Sequence, residues 1–414
     1  MQRRPGTPSL LRELNDRSAL ELLLSGGPMT RAQLGEHTGL SKVTASQLLA
    51  RLEDRGLVAV AGELAGGRGP NAALYAVVPS TAYVAGLHVE QDEISAGVAD
   101  ITGTVVTRIS VNKEATVLRA NGSTAGGAGC NPGDSDDPVA LVRGAVLAAC
   151  DAAGVAPEAL RAFVIGTPGV LDPRTGDPRL AVNLPAWHEG VLEALRSDLG
   201  RHVTIENDVN LAAMAERSVG AAVGVDDFVL VWIGVGLGLA TILGGRLHRG
   251  VGGAAGEIGY LPVPGVPLPE DITHPATGAF QSLVGAQALI PLAAQYGFAE
   301  PTAAACVRAA VKAATAGEPR AGAFLSELAG RVATGVAAVS VVLDPGLVVL
   351  GGDVGLAGGT QLADRVAAEV GRICPARPDV VPTSVTGDPV LRGAILAAVD
   401  QARAQLLDSV AEPA

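Results

Sequence analysis

Two stretches of this chain share one pattern, and that repetition limits the possible folds more than any other feature. Residues 83–111, YVAGLHVEQDEISAGVADITGTVVTRISV, read as three strands joined by tight turns, and residues 228–248, FVLVWIGVGLGLATILGGRLH, read the same way. Each set precedes a helical region, so the expected architecture is two related α/β lobes with a cleft between them. The 414 residues exceed one ordinary core, which fits two or three domains. Residues 113–137, rich in Gly, Ser, Asn and Asp, are expected to be a flexible insertion before a helix over Pro138–Ala153.

The first eighty residues follow a different rhythm. Leucines 20, 22, 23 and 24 predict a helix from Asp16 to Ser25, stopped by Gly26-Gly27-Pro28. Thr30 and Gln33 make a capping-box pattern for a second helix, with Ala32 and Leu34 on its inner side. Gly39 supplies a turn, and Ser41 can cap a third helix running to Gly56 that buries Leu48, Leu49 and Leu52. Strand, glycine-rich hairpin and strand follow, with Arg68 at the hairpin tip. That order predicts a winged helix-turn-helix over residues 1–78, with residues 79–414 forming the lobed domain.

Lys42, Thr44, Ser46 and Gln47 cluster near the start of the third helix, where a recognition helix meets base edges. Together with Arg31, Arg51 and Arg68 they are the expected DNA contacts. The bland alternative is a helical hairpin on a small ribbon, with Arg68 merely solvated. The net charge of −12 opposes a generally basic nucleic-acid binder, but the sign is uneven. Residues 1–78 hold nine Lys/Arg against seven Asp/Glu, whereas the remainder holds 21 against 35.

Other classes are excluded more simply. Cys130, Cys150, Cys306 and Cys374 are widely spaced with no C-x-x-C pair, which reads as reduced thiols. Acidic Glu13, Asp16 and Glu21 interrupt any signal-like start, and Asp344-Pro345 break the longest apolar run, so no membrane span is expected and the location reads as cytoplasmic. In the lobed part, IENDVNLAAMAE sets Asp208 at the edge of a helix-prone run. It is a candidate catalytic base, ligand contact or helix cap.

GTPGVLD (166–172), NLPAW (183–187), ENDVNLAAMAE, GVGLGLATILGGRLHRGVGGAAGEIG, LDPGLVVLGG and LRGAIL occur in this order. The chain so resembles the ROK family of repressors and sugar kinases, and its repressor branch, over nearly its full length. The resemblance implies an actin-like, ribonuclease-H-type two-lobed fold. It also implies that Asn183, Asn207, Asp208 and Glu257 contact a sugar, Asp208 being the position of the kinases' base. Amides and carboxylates suit vicinal hydroxyls because they bridge neighbouring donors and acceptors.

Departures from the family pattern are informative. Its first phosphate loop, D-x-G-G-T, is matched here by His88, Glu90, Gln91 and Asp92, so acidic side chains would face a nucleotide polyphosphate. Gly234, Gly236 and Gly238 persist in the second loop, but Val235 stands for a threonine. Tyr260 replaces the histidine after EIG, and Gln281 stands near the last position of the zinc motif. No cysteine lies between them, and His274 alone cannot build a tetrahedral site, so no structural zinc is expected. The expected effector set is thus Asn183, Asn207, Asp208, Glu257, Tyr260 and Gln281, with no catalytic residue, cofactor or metal.

The expectation is a transcriptional regulator that represses carbohydrate-related genes, binds an operator as a homodimer or tetramer, and is released by a sugar or sugar derivative. Two rivals remain: an active sugar kinase with a DNA-binding appendage, favoured by Asp208, and an effector-independent DNA-binding regulator, favoured by Tyr260 and Gln281.

Overall fold

The computed structural model describes residues 8–65, 71–91, 93–112, 137–180, 190–200, 202–272 and 277–410. Residues 113–136, Arg68, Asp92, Asn183 and His274 therefore lie outside it.

The N-terminal part contains helices Pro8–Gly26, Arg31–Thr38 and Lys42–Asp54. Strands β1 (Met29–Thr30), β2 (Val58–Leu64) and β3 (Ala72–Val77) form an antiparallel sheet in the order β1-β3-β2. The local rules act as expected. Thr30 and Gln33 close a capping box, Gly39 ends the second helix at φ 69°, and the Ser41 hydroxyl accepts the Thr44 N–H. Leu34, Leu48, Leu49 and Leu52 are buried. Two details differ. The first helix starts at Pro8 instead of Asp16, because Arg12, Glu13, Asp16 and Arg17 dilute its apolar periodicity without breaking the helix. Ala32 points outward, leaving Leu34 as the inner contact of the short second helix.

The first lobe opens with the meander β4 (Tyr83–Val89), β5 (Glu93–Asp100) and β6 (Val105–Asn112). Helix Pro138–Ala153 follows, capped by Asp137 through the Val139 N–H, and then β7 (Leu160–Thr167). A small ribbon of β8 (Val170–Leu171) and β9 (Pro178–Leu180) leads to helix Val191–Leu199, β10 (His202–Asn207) and helix Asp208–Val219. The second lobe opens with β11 (Phe228–Ile233), β12 (Leu237–Leu243) and β13 (Arg246–Leu247), and adds β14 (Leu347–Gly351) and β15 (Asp379–Pro382).

The sheet orders β10-β7-β4-β5-β6 and β13-β12-β11-β14-β15 are one topology used twice. In each, the first meander strand sits centrally, antiparallel to the second and parallel to a later strand. The duplicated pattern in the sequence is therefore a duplicated sheet, and the chain is an N-terminal winged helix followed by an actin-like α/β fold.

The 25-residue helix Pro319–Leu343 is apolar and long enough by composition to cross a membrane, but Phe324, Leu328, Val332 and Val336 pack it into the second lobe's core. The last helix, Pro389–Val410, crosses the first lobe. Its Val390, Ile395, Ala398, Leu407 and Val410 join one apolar cluster with Val84 and Ala99 of that lobe and with Leu20, Leu23 and Leu48 of the winged helix.

Candidate functional site

At the end of β10 the chain turns into helix Asp208–Val219, and the division of labour there is specific. Asn207 is the cap: in extended conformation, its side-chain oxygen accepts the Asn210 N–H at 3.1 Å, and its amide donates to the Gly169 carbonyl at 3.2 Å. Asp208 is the first helical residue. Its carboxylate accepts the Val209 backbone N–H at 2.8 Å, and among the described residues no side chain bonds it. The helix end favours a negative charge there. Burial nevertheless raises the Asp208 pKa above the usual carboxylate value, against the opposing pull of His88 and the backbone N–H groups. The capping explanation for Asp208 thus passes to its neighbour.

Asn207 and Asp208 are held from behind by Glu206. Its buried carboxylate accepts the Asn207 N–H and the Asn210 amide, each at 2.9 Å, and pairs with Arg249 at 2.6 Å. Arg249 lies beyond β13 in the second lobe, so this pair spans the lobes.

His88 stands near the end of β4, buried, with Nδ1 2.9 Å from Asp388 Oδ2. Burial alone would lower its pKa, but the Asp388 hydrogen bond and the fields of Asp388, Glu90 and Asp208 prevail and raise it. For Asp388 burial is likewise outweighed, and the bond to His88 holds its pKa down. Asp388 also accepts the Leu391 N–H at 2.9 Å at the start of the last helix. Glu90, in the following turn, has a raised pKa through burial and through Asp388, Glu93 and Asp353. Asp353 sits in the first turn of helix Gly352–Ile373, beyond the LGG turn of the other lobe. Carboxylates from both lobes therefore act on Glu90.

On the second-lobe side, Glu257 opens a short helical turn ending at Tyr260. Burial and the Asp208 charge raise its pKa to about 7. Tyr260 donates its hydroxyl to the Ile272 carbonyl at 2.6 Å, and burial with the nearby Glu257 and Asp271 raises its pKa. Gln281 is buried and turned to the backbone: its oxygen accepts the Leu237 N–H at 2.9 Å, and its amide donates to the Val235 carbonyl at 3.0 Å. It braces the glycine loop between β11 and β12. Among the described residues no cluster of His, Cys, Asp and Glu could hold a metal ion.

In the winged helix, Lys42 and Gln47 are exposed, and Thr44 is half-buried with its hydroxyl 2.9 Å from Ser41 Oγ. Arg31 donates to the Ser46 hydroxyl at 3.0 Å, tying the second helix to the third. Arg51, an expected DNA contact, has a partner inside the winged helix. Its guanidinium grips Asp16, which is 6% exposed, with two bonds of 3.0 and 2.5 Å, and so fastens the third helix to the first.

Sequence reasoning missed Asp388, Arg249, Glu206, Asp353 and Asp16. Only Asp388 carried a local signal: an aspartate directly before Pro389 is the pattern of a cap before an N1 proline.

Comparison with known proteins agrees with the fold. The ROK family pattern matches residues 100–400, and that of the MarR family matches residues 14–69. The xylose repressor of Caldicellulosiruptor bescii is 24% identical over 260 residues, 62% of this chain and 61% of that protein, so the chain spans less than two thirds of that relative's length. A ROK hexokinase from Thermus thermophilus superposes with a TM-score of 0.58 at 29% identity, covering 78% of this chain and 99% of the other. A ROK family transcriptional regulator described as a homolog of the E. coli MLC protein superposes with a TM-score of 0.67 at 18% identity, covering 98% of this chain and 100% of the other.

Proposed function

The chain belongs to the ROK family, and on that premise we propose that it is a sequence-specific DNA-binding regulator that represses carbohydrate-related genes and is released by a sugar or sugar derivative, without sugar-kinase activity. The observation that carries the proposal is the pairing, in one chain, of a winged helix with a two-lobed fold whose Asp208 is left available by the Asn207 cap. Residues 1–78 would bind DNA, with Lys42, Thr44 and Gln47 toward the bases and Arg31 and Ser46 fixing the helix pair. Residues 79–414 would bind the effector and a second copy. A homodimer or tetramer presents paired recognition helices to half-sites about 34 Å apart or a multiple of that.

Asn207, Asp208, Glu257 and Tyr260 are the proposed effector contacts, together with Asn183. A kinase would need its donors and metal gathered around nucleotide phosphates, because phosphoryl transfer is mainly positioning and charge stabilisation. Glu90, Asp388 and Asp353 oppose that here. Effector binding acts by preferring one lobe arrangement, since a ligand shifts an equilibrium only through differential affinity.

The test is selection of duplexes from a random library by the full-length protein. Titration of the winning duplex follows, in the presence of a sugar panel beginning with D-xylose, the sugar named by a similar repressor. Loss of DNA affinity with one sugar supports the proposal. Sustained Asp208-dependent ADP formation with any sugar in the same panel would establish the kinase alternative instead.

A further inference from the structure

Helix Pro389–Val410 is anchored at both ends, and its two anchors lie in different parts of the molecule. At its start, Asp388 bonds His88 at 2.9 Å and the Leu391 N–H at 2.9 Å. At its end, Asp408 pairs with Arg17 at 2.6 Å, and the Ser409 carbonyl accepts from Arg55 at 3.4 Å. Arg17 belongs to the first helix and Arg55 ends the third, so both partners are in the winged helix.

Between these anchors the helix has little freedom. Gly393 lies so close to helix Asp208–Val219 that a Cβ there would overlap the Leu211 carbonyl, and a Cβ at Gly86 of β4 would meet the backbone nitrogen of Ile395 at 2.6 Å. Cores pass displacement on because they are packed without slack. The far end of helix Asp208–Val219 is fastened to the segment leading into the last helix by Glu216, which is 0% exposed. Its carboxylate accepts the Ala221 N–H at 2.7 Å, the Ser384 and Val385 N–H groups at 3.2 Å, and the Thr383 hydroxyl. The helix that begins with Asp208 and the helix that begins after Asp388 are thus one braced unit. His88 bonds Asp388 and lies within the field of Asp208.

We propose that helix Pro389–Val410 is the coupling rod between cleft and winged helix: a rearrangement at His88, Asp208 and Asp388 is carried along it to Arg17 and Arg55, resetting the recognition helix. Its 22 residues span about 33 Å at 1.5 Å per residue. The last step rests on the DNA-binding role proposed above, whereas the mechanical link does not.

A double-mutant cycle on the full-length chain tests the rod, because only a cycle separates coupling from two independent effects. Asp388→Asn perturbs the cleft end while keeping a capping side chain. Arg17→Gln with Arg55→Gln releases the far end. The readings are affinity for the duplex selected by the wild type and amide hydrogen exchange over residues 8–26. Asp388→Asn is expected to change the affinity about threefold or more and to alter exchange in 8–26, and both effects should largely vanish in the Arg17→Gln/Arg55→Gln background. Equal effects in both backgrounds, or unchanged exchange in 8–26 on Asp388→Asn alone, would overturn the rod. Should Asp388→Asn fail to fold, His88→Gln breaks the same pair from the β4 side and takes its place in the cycle. If the wild type selects no duplex, the DNA-binding proposal fails, and the exchange arm alone decides the rod.

Discussion

Glu206, one residue before the end of β10, and Arg249, beyond β13, form an ion pair of 2.6 Å that joins the lobes directly behind the Asn207-Asp208 step. The carboxylate is buried and the guanidinium half-exposed. Removing the arginine leaves Glu206 buried with two neutral donors and no cation. Arg249→Ala is expected to cost about 1–3 kcal/mol, more than an ordinary surface pair, because a buried charge loses its partner. Urea denaturation of both proteins checks this. A midpoint within experimental error of wild type would assign the pair no role in holding the lobes.

Glu257 gives a pH signature. Its pKa rises from 4.5 unfolded to about 7 folded, so the folded state holds this proton more tightly. For this group the protonated, stabilising form is fully present below 4.5 and is lost as pH rises through 7. Glu257→Gln stays neutral throughout. The variant should match wild type near pH 4 and exceed it by about 1–3 kcal/mol near pH 8. Thermal melts at intervals between these values measure the difference, and a gap independent of pH would contradict the assignment.

Gln47 and Arg51, four residues apart on one helix, should fail in different ways. Gln47→Ala, at an exposed position, should leave the melting temperature unchanged while losing about 1–3 kcal/mol of discrimination at one base position. Arg51→Ala strands the buried Asp16 and should destabilise the winged helix, lowering affinity for selected and scrambled duplexes alike. Binding titrations paired with melts on both variants separate the two. The assignments would have to be exchanged if Arg51→Ala altered base preference at full stability.

Asp208→Asn removes a charge that burial already opposes, and the cap remains on Asn207. Folding stability should therefore hold or rise slightly. Loss of a charged acceptor for a sugar hydroxyl should move the sugar dose-response for DNA release by about tenfold or more, corresponding to roughly 1.5–3 kcal/mol. Superimposable release curves for the two proteins would remove Asp208 from the effector site.

Some of this was legible in the sequence because the physics is local. The Thr30–Gln33 box, the Ser41 cap and both meanders are fixed by residues within a few positions of one another. The Asn207-Asp208 ambiguity was not soluble that way, since both side chains make good caps and the choice depends on where β10 ends against β7. Gln281 and Arg51 bond to groups that no local pattern announces: the Val235–Leu237 backbone and Asp16 lie 44 to 46 and 35 positions away. The His88–Asp388 pair spans 300 positions and could be seen only in the folded chain.

The shared apolar cluster of Leu20, Leu48, Leu407 and Val410 bears on how the two parts of this chain could be recombined with those of another. A winged helix cut at residue 78 and grafted onto another lobed domain would leave behind a helix whose Leu407 and Val410 now meet water, and would itself arrive with an uncovered Leu20. Head and tail must therefore be exchanged together. Although the first helix and the last turn stand at opposite ends of the sequence, they form a single heritable part, and compatible swaps should be found where both termini come from the same parent.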